Sequence, residues 1–187
     1  NGKVIGITGS AGKTTLKETL AFFLKKNHII SYSKKSYNNK LGVLISLLNL
    51  NIKSSFSIFE LGTNNFGEIK ELTKIIKPSE VFITNIQSTH LENFKSKKNI
   101  AKEKSDIFDF KYNHNREKLY LNVNNNFEKR ILDKAKKEKK LKVININKSS
   151  KKYFIKEIVS KKKFTEVVFF IEKKIVKLNF KSLIMFR

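Results

Sequence analysis

The chain of 187 residues contains no cysteine, no tryptophan and only one proline. Without cysteine it forms neither a disulfide nor a thiolate metal site. No apolar run approaches the ~20 residues of a membrane-spanning helix, and no signal-peptide pattern opens the chain. These absences exclude a disulfide scaffold and a zinc-thiolate protein, and they predict no membrane span. The length suits one domain with a sizeable core.

Arginine is nearly absent although the chain is strongly basic. The formal net charge is +24, yet only three of the 40 basic residues are arginine. Arginine is the residue that proteins prefer for bidentate contacts to bases and phosphates. An A/T-rich genome accounts for the abundance of lysine, asparagine, isoleucine and phenylalanine without any function. We therefore expect no nucleic-acid partner, and charge alone is a weak reason to propose one.

Strand-like apolar runs and segments of helical periodicity alternate along most of the chain. Strands are predicted at 4–7, 29–32, 56–59, 81–84, 119–123 and 141–146, and helices at 14–26, 41–50, 67–76, 98–110 and 127–137. This alternation predicts an α/β fold with an open, mostly parallel sheet flanked by helices. Residues 153–159, 164–171 and 175–180 predict a small antiparallel β appendage near the C-terminus. Its turn signals are Ser160-Lys161 and Glu172-Lys173, and we interpret the lysine run 161–163 as a solvated turn.

The first predicted helix is amphipathic. Apolar residues recur at helical spacing from Leu16 to Leu24, and they predict one buried face. Lys17, Lys25 and Lys26 are assigned to the opposite face, where we expect them to meet solvent.

A glycine-rich segment joins the first predicted strand to this helix, and it runs Gly9-Ser10-Ala11-Gly12-Lys13-Thr14-Thr15. Strand, glycine turn and helix N-terminus together form the context of a phosphate-binding loop, whose backbone N–H groups face phosphate oxygens. Lys13 would reach the β- and γ-phosphates, and the Thr14 hydroxyl would bind Mg²⁺. A strict pattern needs glycine at position 7, where Ile7 stands, so a chance glycine turn is the alternative. We predict a nucleoside-triphosphate site.

Polar residues follow two further predicted strands. Glu60 ends the apolar run 56–59, and Asn85 and His90 follow the run 81–84. Ligands of open α/β sheets bind outside the carboxyl ends of the strands. Glu60 could therefore hold Mg²⁺, which favours oxygen ligands, or be a capping or surface glutamate. His90 could be a second ligand or an ordinary loop histidine.

Two lysines of the helix at 98–110 differ in their predicted direction. Lys104 falls within about 40° of Ile100 on a helical wheel, whereas Lys102 lies about 200° away and faces solvent. A lysine on an apolar face either extends its ammonium to water or is buried with a lowered pKa. Burial would leave the amine neutral and nucleophilic.

Five segments together resemble the Mur ligases, the ATP-dependent amide ligases of peptidoglycan synthesis; the second, third and fourth resemble the MurF branch, and the fifth resembles the segment that carries the family's carbamylated lysine. They are residues 8–18 (TGSAGKTTLKE), 37–43 (YNNKLGV), 59–69 (FELGTNNFGEI), 83–94 (ITNI and THLENF) and 100–108 (IAKEKSDIF). These segments run in family order from residue 4 to about 126. Together they are far more specific than the phosphate loop alone.

The resemblance implies a role for each candidate residue. ATP would bind the loop Gly9, Ser10, Ala11, Gly12, Lys13, Thr14 and Thr15. Magnesium ions would bind Thr14, Glu60, His90 and Lys104, the last as a carbamate formed with CO₂. The implied catalytic residues are Lys13, His90 and Lys104. Asn38 and Asn39 are implied at the substrate or phosphate site, although an asparagine pair is also an ordinary turn.

The resemblance also implies a reaction and its partners. ATP would phosphorylate the carboxylate of a UDP-MurNAc-tripeptide, and the amine of D-Ala-D-Ala would attack the resulting acyl phosphate. We expect a cytoplasmic, monomeric protein. Residues 1–187 would be a central ATP-binding domain that is incomplete at its C-terminal end, without the N-terminal UDP-binding domain or the C-terminal ligase domain. Such a piece is expected to be inactive as a ligase by itself.

Some residues depart from the family pattern, and two other functions remain open. Leu44 stands where the family usually has proline, and the segment 121–125 lacks acidic residues that the family often shows. The first alternative is another Mur-type or a folylpolyglutamate-type ligase, which the segment 60–69 disfavours. The second is a basic nucleic-acid-binding module, for which binding should fall steeply with salt.

Overall fold

The computed structural model describes residues 2–33, 36–146, 153–160, 165–171 and 174–180. It divides the chain into two compact units, Asn1–Ile144 and Asn145–Arg187. The strands are β1 (Lys3–Thr8), β2 (Ile30–Tyr32), β3 (Phe56–Glu60), β4 (Glu80–Ile83), β5 (Lys118–Leu121), β6 (Lys142–Asn145), β7 (Tyr153–Ser160), β8 (Thr165–Ile171) and β9 (Lys174–Phe180). The helices are α1 (Lys13–Leu24), α2 (Lys40–Leu48), α3 (Glu68–Ile76), α4 (Leu91–Phe94), α5 (Lys97–Ser105) and α6 (Asn126–Lys136).

The main sheet has six strands in the order β2-β3-β1-β4-β5-β6. Strand β1 pairs in parallel with β3 and β4, β2 pairs in parallel with β3, and β4 with β5. Because these neighbours run in one direction, the carboxyl ends of β1, β3 and β4 meet at one edge of the sheet. The predicted α/β fold with an open, mostly parallel sheet is confirmed.

Both faces of the sheet are covered, as the near-continuous apolar runs of the central strands require. Adjacent residues of a strand point to opposite faces, and Ile58 and Phe59 accordingly belong to different core clusters. Ile58 packs with Ile5, Ile7 and Ala21 on the face that α1 covers. The larger cluster on the other side contains residues of α3, α5 and α6.

The second unit is a three-stranded sheet in the order β7-β8-β9. Both pairings are antiparallel, which confirms the predicted antiparallel appendage. Its two turn signals and the lysine run 161–163 lie outside the described residues, except for Ser160 at the end of β7. Of the helices in the described parts of the chain, none is long and apolar enough to cross a bilayer.

Three details differ from the sequence-based expectations. The helix predicted at 98–110 ends at Ser105 and continues as a 3₁₀ turn, Asp106–Phe108, and the loop before it contains the short helix α4. Lys17 was expected to face solvent, but its side chain is fully buried. The prediction for Lys17 is wrong. Its ammonium donates to the carbonyl oxygen of Ser33 at 2.8 Å, so the side chain lies inside the protein instead of extending to solvent.

Glu103 of α5 holds the N-terminus of α3. Its carboxylate is 3% exposed and accepts hydrogen bonds from the backbone N–H groups of Gly67 at 2.8 Å and Ile69 at 2.9 Å. The hydroxyl of Thr63 donates to the same carboxylate at 3.3 Å. The first N–H groups of a helix have no partner within the helix, and a negative charge there is favourable. Glu103 therefore joins α5 to the loop that precedes α3.

Replacing this carboxylate by an amide should destabilise the protein. In Glu103→Gln one oxygen becomes an NH₂ group, so one buried N–H loses its acceptor, and we expect a loss of about 1–3 kcal/mol in the free energy of unfolding. The measurement is urea denaturation followed by circular dichroism. Glu92→Gln, at an exposed position of α4, is the matched control and should change stability by less than about 0.5 kcal/mol. Equal midpoints for the two variants would contradict the role of Glu103.

Candidate nucleotide-binding site

Residues 9–12 form a tight loop between β1 and α1. Gly9 has φ 145° and Gly12, immediately before α1, has φ 78°, values that residues with a side chain rarely adopt. A Cβ atom at Gly9 would lie 1.8 Å from Oγ1 of Thr84, so a side chain at that position would collide with the segment after β4. The glycines are therefore required both by the turn and by the close approach of a neighbouring strand.

Hydrogen bonds to the segment after β4 hold this loop in place. The backbone N–H of Ser10 donates to the carbonyl oxygen of Asn85 at 3.0 Å, and the N–H of Ala11 donates to Asn85 Oδ1 at 3.0 Å. The hydroxyl of Thr84 donates to the carbonyl oxygen of Ala11 at 2.7 Å. Asn85 thus holds the loop in place instead of pointing freely into solution.

Lys13 and Thr14 begin α1 at the positive end of the helix dipole. The ammonium of Lys13 donates to the carbonyl oxygens of Gly9 at 3.0 Å and Ser10 at 3.5 Å. Burial lowers the pKa of Lys13 below its ordinary value, and the negative charge of Glu60 opposes that shift. Thr15, the next residue of the predicted loop, is exposed. The first turn of α1 therefore places one cation and two hydroxyls beside the loop.

Glu60 ends β3 beside this first turn, and its carboxylate is 1% exposed. Its Oε2 accepts a hydrogen bond from the Thr14 hydroxyl at 2.8 Å, and its Oε1 accepts one from Asn38 Nδ2 at 3.1 Å. The ammonium of Lys17 lies 4.0 Å from Oε2. Of the two alternatives for Glu60, the surface glutamate is excluded because the side chain is buried at the loop.

The two asparagines before α2 make different contacts. Asn39 is the N-cap of α2, and its side chain accepts a hydrogen bond from the N–H of Gly42 at 2.8 Å. Asn38 contacts Glu60 through its side chain and accepts a hydrogen bond from the N–H of Gly62 through its carbonyl oxygen. Asn39 therefore has the ordinary role of a helix cap, whereas Asn38 supports the buried carboxylate.

A cleft with a volume of about 270 Å³ lies between the loop and α5. It brings together most of the residues that the sequence predicted for the site. Its lining consists of Gly9, Ser10, Lys13, Asn38, Asn39, Gly62, Thr63, Asn64, Glu68, Thr89, His90 and Lys104. His90 is exposed, and its backbone has the left-handed conformation, with φ 55°.

Lys104 reaches the cleft from α5, and its side chain is buried, whereas Lys102 is exposed. The directions predicted for these two lysines are therefore confirmed. Desolvation lowers the pKa of Lys104 to about 8; the positive charge of Lys13 also lowers it, and the charge of Glu103 opposes the shift. Because pH 7 lies about one unit below that pKa, on the order of a tenth of this amine is neutral at pH 7.

The oxygens of Thr14 and Glu60 suit a hard divalent cation. They are 2.8 Å apart, and one belongs to a buried carboxylate. Within residues 2–33, 36–146 and the described strands of the second unit, no three His, Cys, Asp or Glu side chains cluster around a metal position. A cation bound here would draw its remaining ligands from water and phosphate oxygens, as Mg²⁺ usually does.

Two buried charged residues near the site were missed by the sequence analysis. Lys17 precedes Ala21 by four residues, so the two share one face of α1, and the small side chain of Ala21 was the available signal. Glu103 lies three residues after Ile100, on the buried side of α5. The charge of both side chains argued for solvent, and the assignment of Lys17 to the face opposite the apolar residues overlooked its spacing to Ala21.

A parallel α/β sheet with a glycine-rich loop at the N-terminus of its first helix, and a buried carboxylate beside it, defines a phosphate-loop nucleotide-binding domain. The family model "Mur ligase middle domain" matches residues 7–185. The chain belongs to the Mur ligase middle domain family.

Individual relatives agree with this assignment. The chain is 43% identical over 131 residues to UDP-N-acetylmuramoyl-tripeptide–D-alanyl-D-alanine ligase of Rickettsia prowazekii. The aligned region covers 70% of this chain and 28% of the relative. A crystal structure of MurF from Acinetobacter baumannii superposes with a TM-score of 0.85 at 27% identity, covering 96% of this chain and 38% of that one. MurF from Thermotoga maritima in complex with ADP shares the fold, with a TM-score of 0.84, 23% identity, and coverage of 96% and 40%. The chain therefore spans less than half the length of these proteins.

The lowered pKa of Lys104 predicts a pH dependence of stability. Between pH 8 and the unfolded-state pKa of 10.5, the unfolded chain binds more protons at this position than the folded one, so this lysine makes the free energy of unfolding rise with pH. Methionine carries no charge to desolvate, so Lys104→Met should have a higher free energy of unfolding than wild type at pH 7.5. This difference should shrink as pH increases to 10. Urea unfolding in CO₂-free buffer measures it, and Lys102→Met should run parallel to wild type. Parallel curves for Lys104→Met would contradict the burial of a lysine with a lowered pKa.

Proposed function

We propose that this chain is the central ATP-binding domain of a ligase that joins D-Ala-D-Ala to a UDP-MurNAc-tripeptide. The observation that carries the proposal is the contact of the Thr14 hydroxyl with buried Glu60 beside a phosphate loop, next to a cleft that Lys104 and His90 also line. The choice of substrates is supported by the name of the Rickettsia relative. The reaction is ATP-dependent carboxylate–amine ligation in peptidoglycan precursor synthesis.

The reaction proceeds in two steps. The carboxylate of the tripeptide attacks the γ-phosphorus of ATP, which gives an acyl phosphate and ADP. The amine of D-Ala-D-Ala then attacks the acyl carbon, and phosphate leaves as the amide forms and the amine loses a proton. Lys13 neutralises negative charge on the β- and γ-phosphates during the first step, and the first N–H groups of α1, which have no partner within the helix, orient them. Thr14 and Glu60 would hold Mg²⁺, which when bound supplies further neutralisation of the phosphoryl oxygens.

Lys104 is proposed to react with CO₂. The ammonium first loses one proton, and the neutral amine then adds to the carbon of CO₂ and releases a second proton, so a buried cation becomes a carbamate anion. Two observations support this proposal: burial in the cleft wall and a pKa near 8, which keeps part of the amine neutral. The carbamate and His90, which line the same cleft, would hold a second Mg²⁺.

Binding of the two substrates other than ATP is proposed to need the rest of a longer polypeptide. The relatives extend well beyond the region that this chain matches, and we assign to that remainder the binding of the UDP-sugar and of the incoming D-Ala-D-Ala. Residues 1–187 alone would therefore bind nucleotide and lack ligase activity. A monomeric, cytoplasmic enzyme is part of the same proposal.

The acceptor and the amine can be tested directly. The complete polypeptide, incubated with ATP, should release phosphate only when a UDP-MurNAc-tripeptide and D-Ala-D-Ala are both present. Tripeptides ending in lysine and in diaminopimelate are compared, because the residues of this chain do not indicate the third position. Turnover with a single amino acid or with a folate in place of these substrates would instead support a sister ligase.

Lys13→Ala should abolish most MgATP binding, because it removes the cation that pairs with the β- and γ-phosphates. Isothermal titration calorimetry on the complete polypeptide measures the affinity. Lys25→Ala, at an exposed lysine just after the same helix, is the control and should bind as wild type does. Equal affinities for wild type and Lys13→Ala would remove the phosphate-loop assignment.

Lys104→Ala in the complete polypeptide should be nearly inactive and should partly recover with acetate or propionate. Alanine leaves room for a small anion, and the cations of the site attract it. Lys102→Ala should behave as wild type does, because Lys102 is exposed. Phosphate release is measured with and without the added anion. Equal activity of both alanine variants would be incompatible with the carbamate proposal.

A further inference from the structure

Lys17 has the largest fully buried side chain of a charged residue in the described part of the chain, at 0% exposure. The proposed reaction gives this residue no role. A lysine on a helix surface normally extends its ammonium to water, and a buried ammonium is strongly unfavourable unless other groups compensate its charge. A lysine held in this way therefore requires an explanation beyond composition, even in a lysine-rich chain.

Acceptors on or next to α1, β2 and β3 lie near the Lys17 ammonium. It donates to the carbonyl oxygen of Ser33, just after β2, at 2.8 Å. It lies 3.3 Å from a carboxylate oxygen of Glu18, a half-exposed side chain, and 4.0 Å from Oε2 of buried Glu60. The ammonium therefore joins α1, the end of β2 and the end of β3.

The position of Lys17 along α1 matters. It lies one helical turn after Thr14, so both side chains project from the same face, and both reach the same carboxylate oxygen. Asn38 contacts the other oxygen at 3.1 Å. A hydroxyl, an amide and the Lys17 ammonium thus contact the Glu60 carboxylate; of these three groups the ammonium carries a full opposite charge, and the charge of Lys13 also acts on Glu60.

We infer that Lys17 is a positioning residue that fixes the Glu60 carboxylate against Thr14, and so assembles the oxygen pair that binds the divalent cation of the nucleotide. Lys17 acts through Glu60 and does not touch the nucleotide. Loss of its charge leaves the hydrogen bonds from Thr14 and Asn38 and the more distant charge of Lys13 to compensate the buried carboxylate. This inference rests on the nucleotide-binding part of the proposed function.

The test compares the affinity for ATP with Mg²⁺ and with EDTA in the complete polypeptide. Lys17→Met removes the charge and keeps a side chain of similar length. The affinity with Mg²⁺ divided by the affinity with EDTA should fall about tenfold, the effect of losing one charge-assisted contact. The affinity in EDTA should stay unchanged. Lys25→Met is the control for methionine on this helix and should keep the wild-type ratio.

A double-mutant cycle shows whether Lys17 acts through Glu60. In a Glu60→Gln background, Lys17→Met should produce no further change in the ratio. If Lys17→Met alone does not fold but Lys17→Met with Glu60→Gln does, the coupling of the two charges is shown by stability itself. If neither folds, Lys17 is a structural residue and the inference is wrong.

The remaining outcomes separate the inference from the proposed function. Wild type that does not bind ATP in either condition overturns the proposed function and the inference with it. Wild type that binds ATP, together with a Lys17→Met variant that has the wild-type ratio, overturns the inference alone. A Lys17→Met variant that loses affinity equally with Mg²⁺ and with EDTA also overturns it, because such a loss does not pass through the cation.

Discussion

The buried carboxylate of Glu60 is the constraint on which the rest of the site depends. A negative charge inside a protein is tolerated only where polar or charged groups compensate it, and here those groups come from α1 and from the segment before α2. Satisfying this one side chain therefore fixes the first turn of α1 against the end of β3. The phosphate loop, which leads directly into that turn, is fixed by the same contacts and by the segment after β4.

The positive charges of the cleft are only partly balanced. Lys13 and Lys104 both line it, and each carries a pKa below its ordinary value because burial disfavours the charged form. Glu103 lies next to Lys104 in sequence, but its oxygens are directed to the N-terminus of α3. Before Lys104 reacts with CO₂, these two placed side chains, instead of the net charge of the chain, would favour an anionic ligand, although Glu68 also lines the cleft.

The sequence predicts those features that depend on local patterns. Strands such as β1 and β3 and the amphipathic faces of the helices follow from the spacing of apolar residues, and the loop at residues 9–12 follows from its glycines. The strand order does not, because it depends on pairing between segments that are distant in the chain. The burial of Lys17 and Glu103 was missed for the same reason, since their compensating partners, Ser33 and Gly67, belong to other elements. The end of α5 at Ser105 was also missed, because the 3₁₀ turn after it keeps the apolar spacing.

The contacts that Lys13 makes within its own loop reduce the free energy that a ligand can gain from binding this lysine. Its ammonium donates to two carbonyl oxygens of its own loop, so a ligand gains only the difference between its own contact with the ammonium and those two. A neutral oxygen offers little more than a carbonyl does, whereas a hydrogen bond to an ionised oxygen is roughly twice as strong. Exchange of partners at this one lysine would thus favour polyphosphates over sugars and other neutral metabolites, even though all of them present oxygen atoms of similar size.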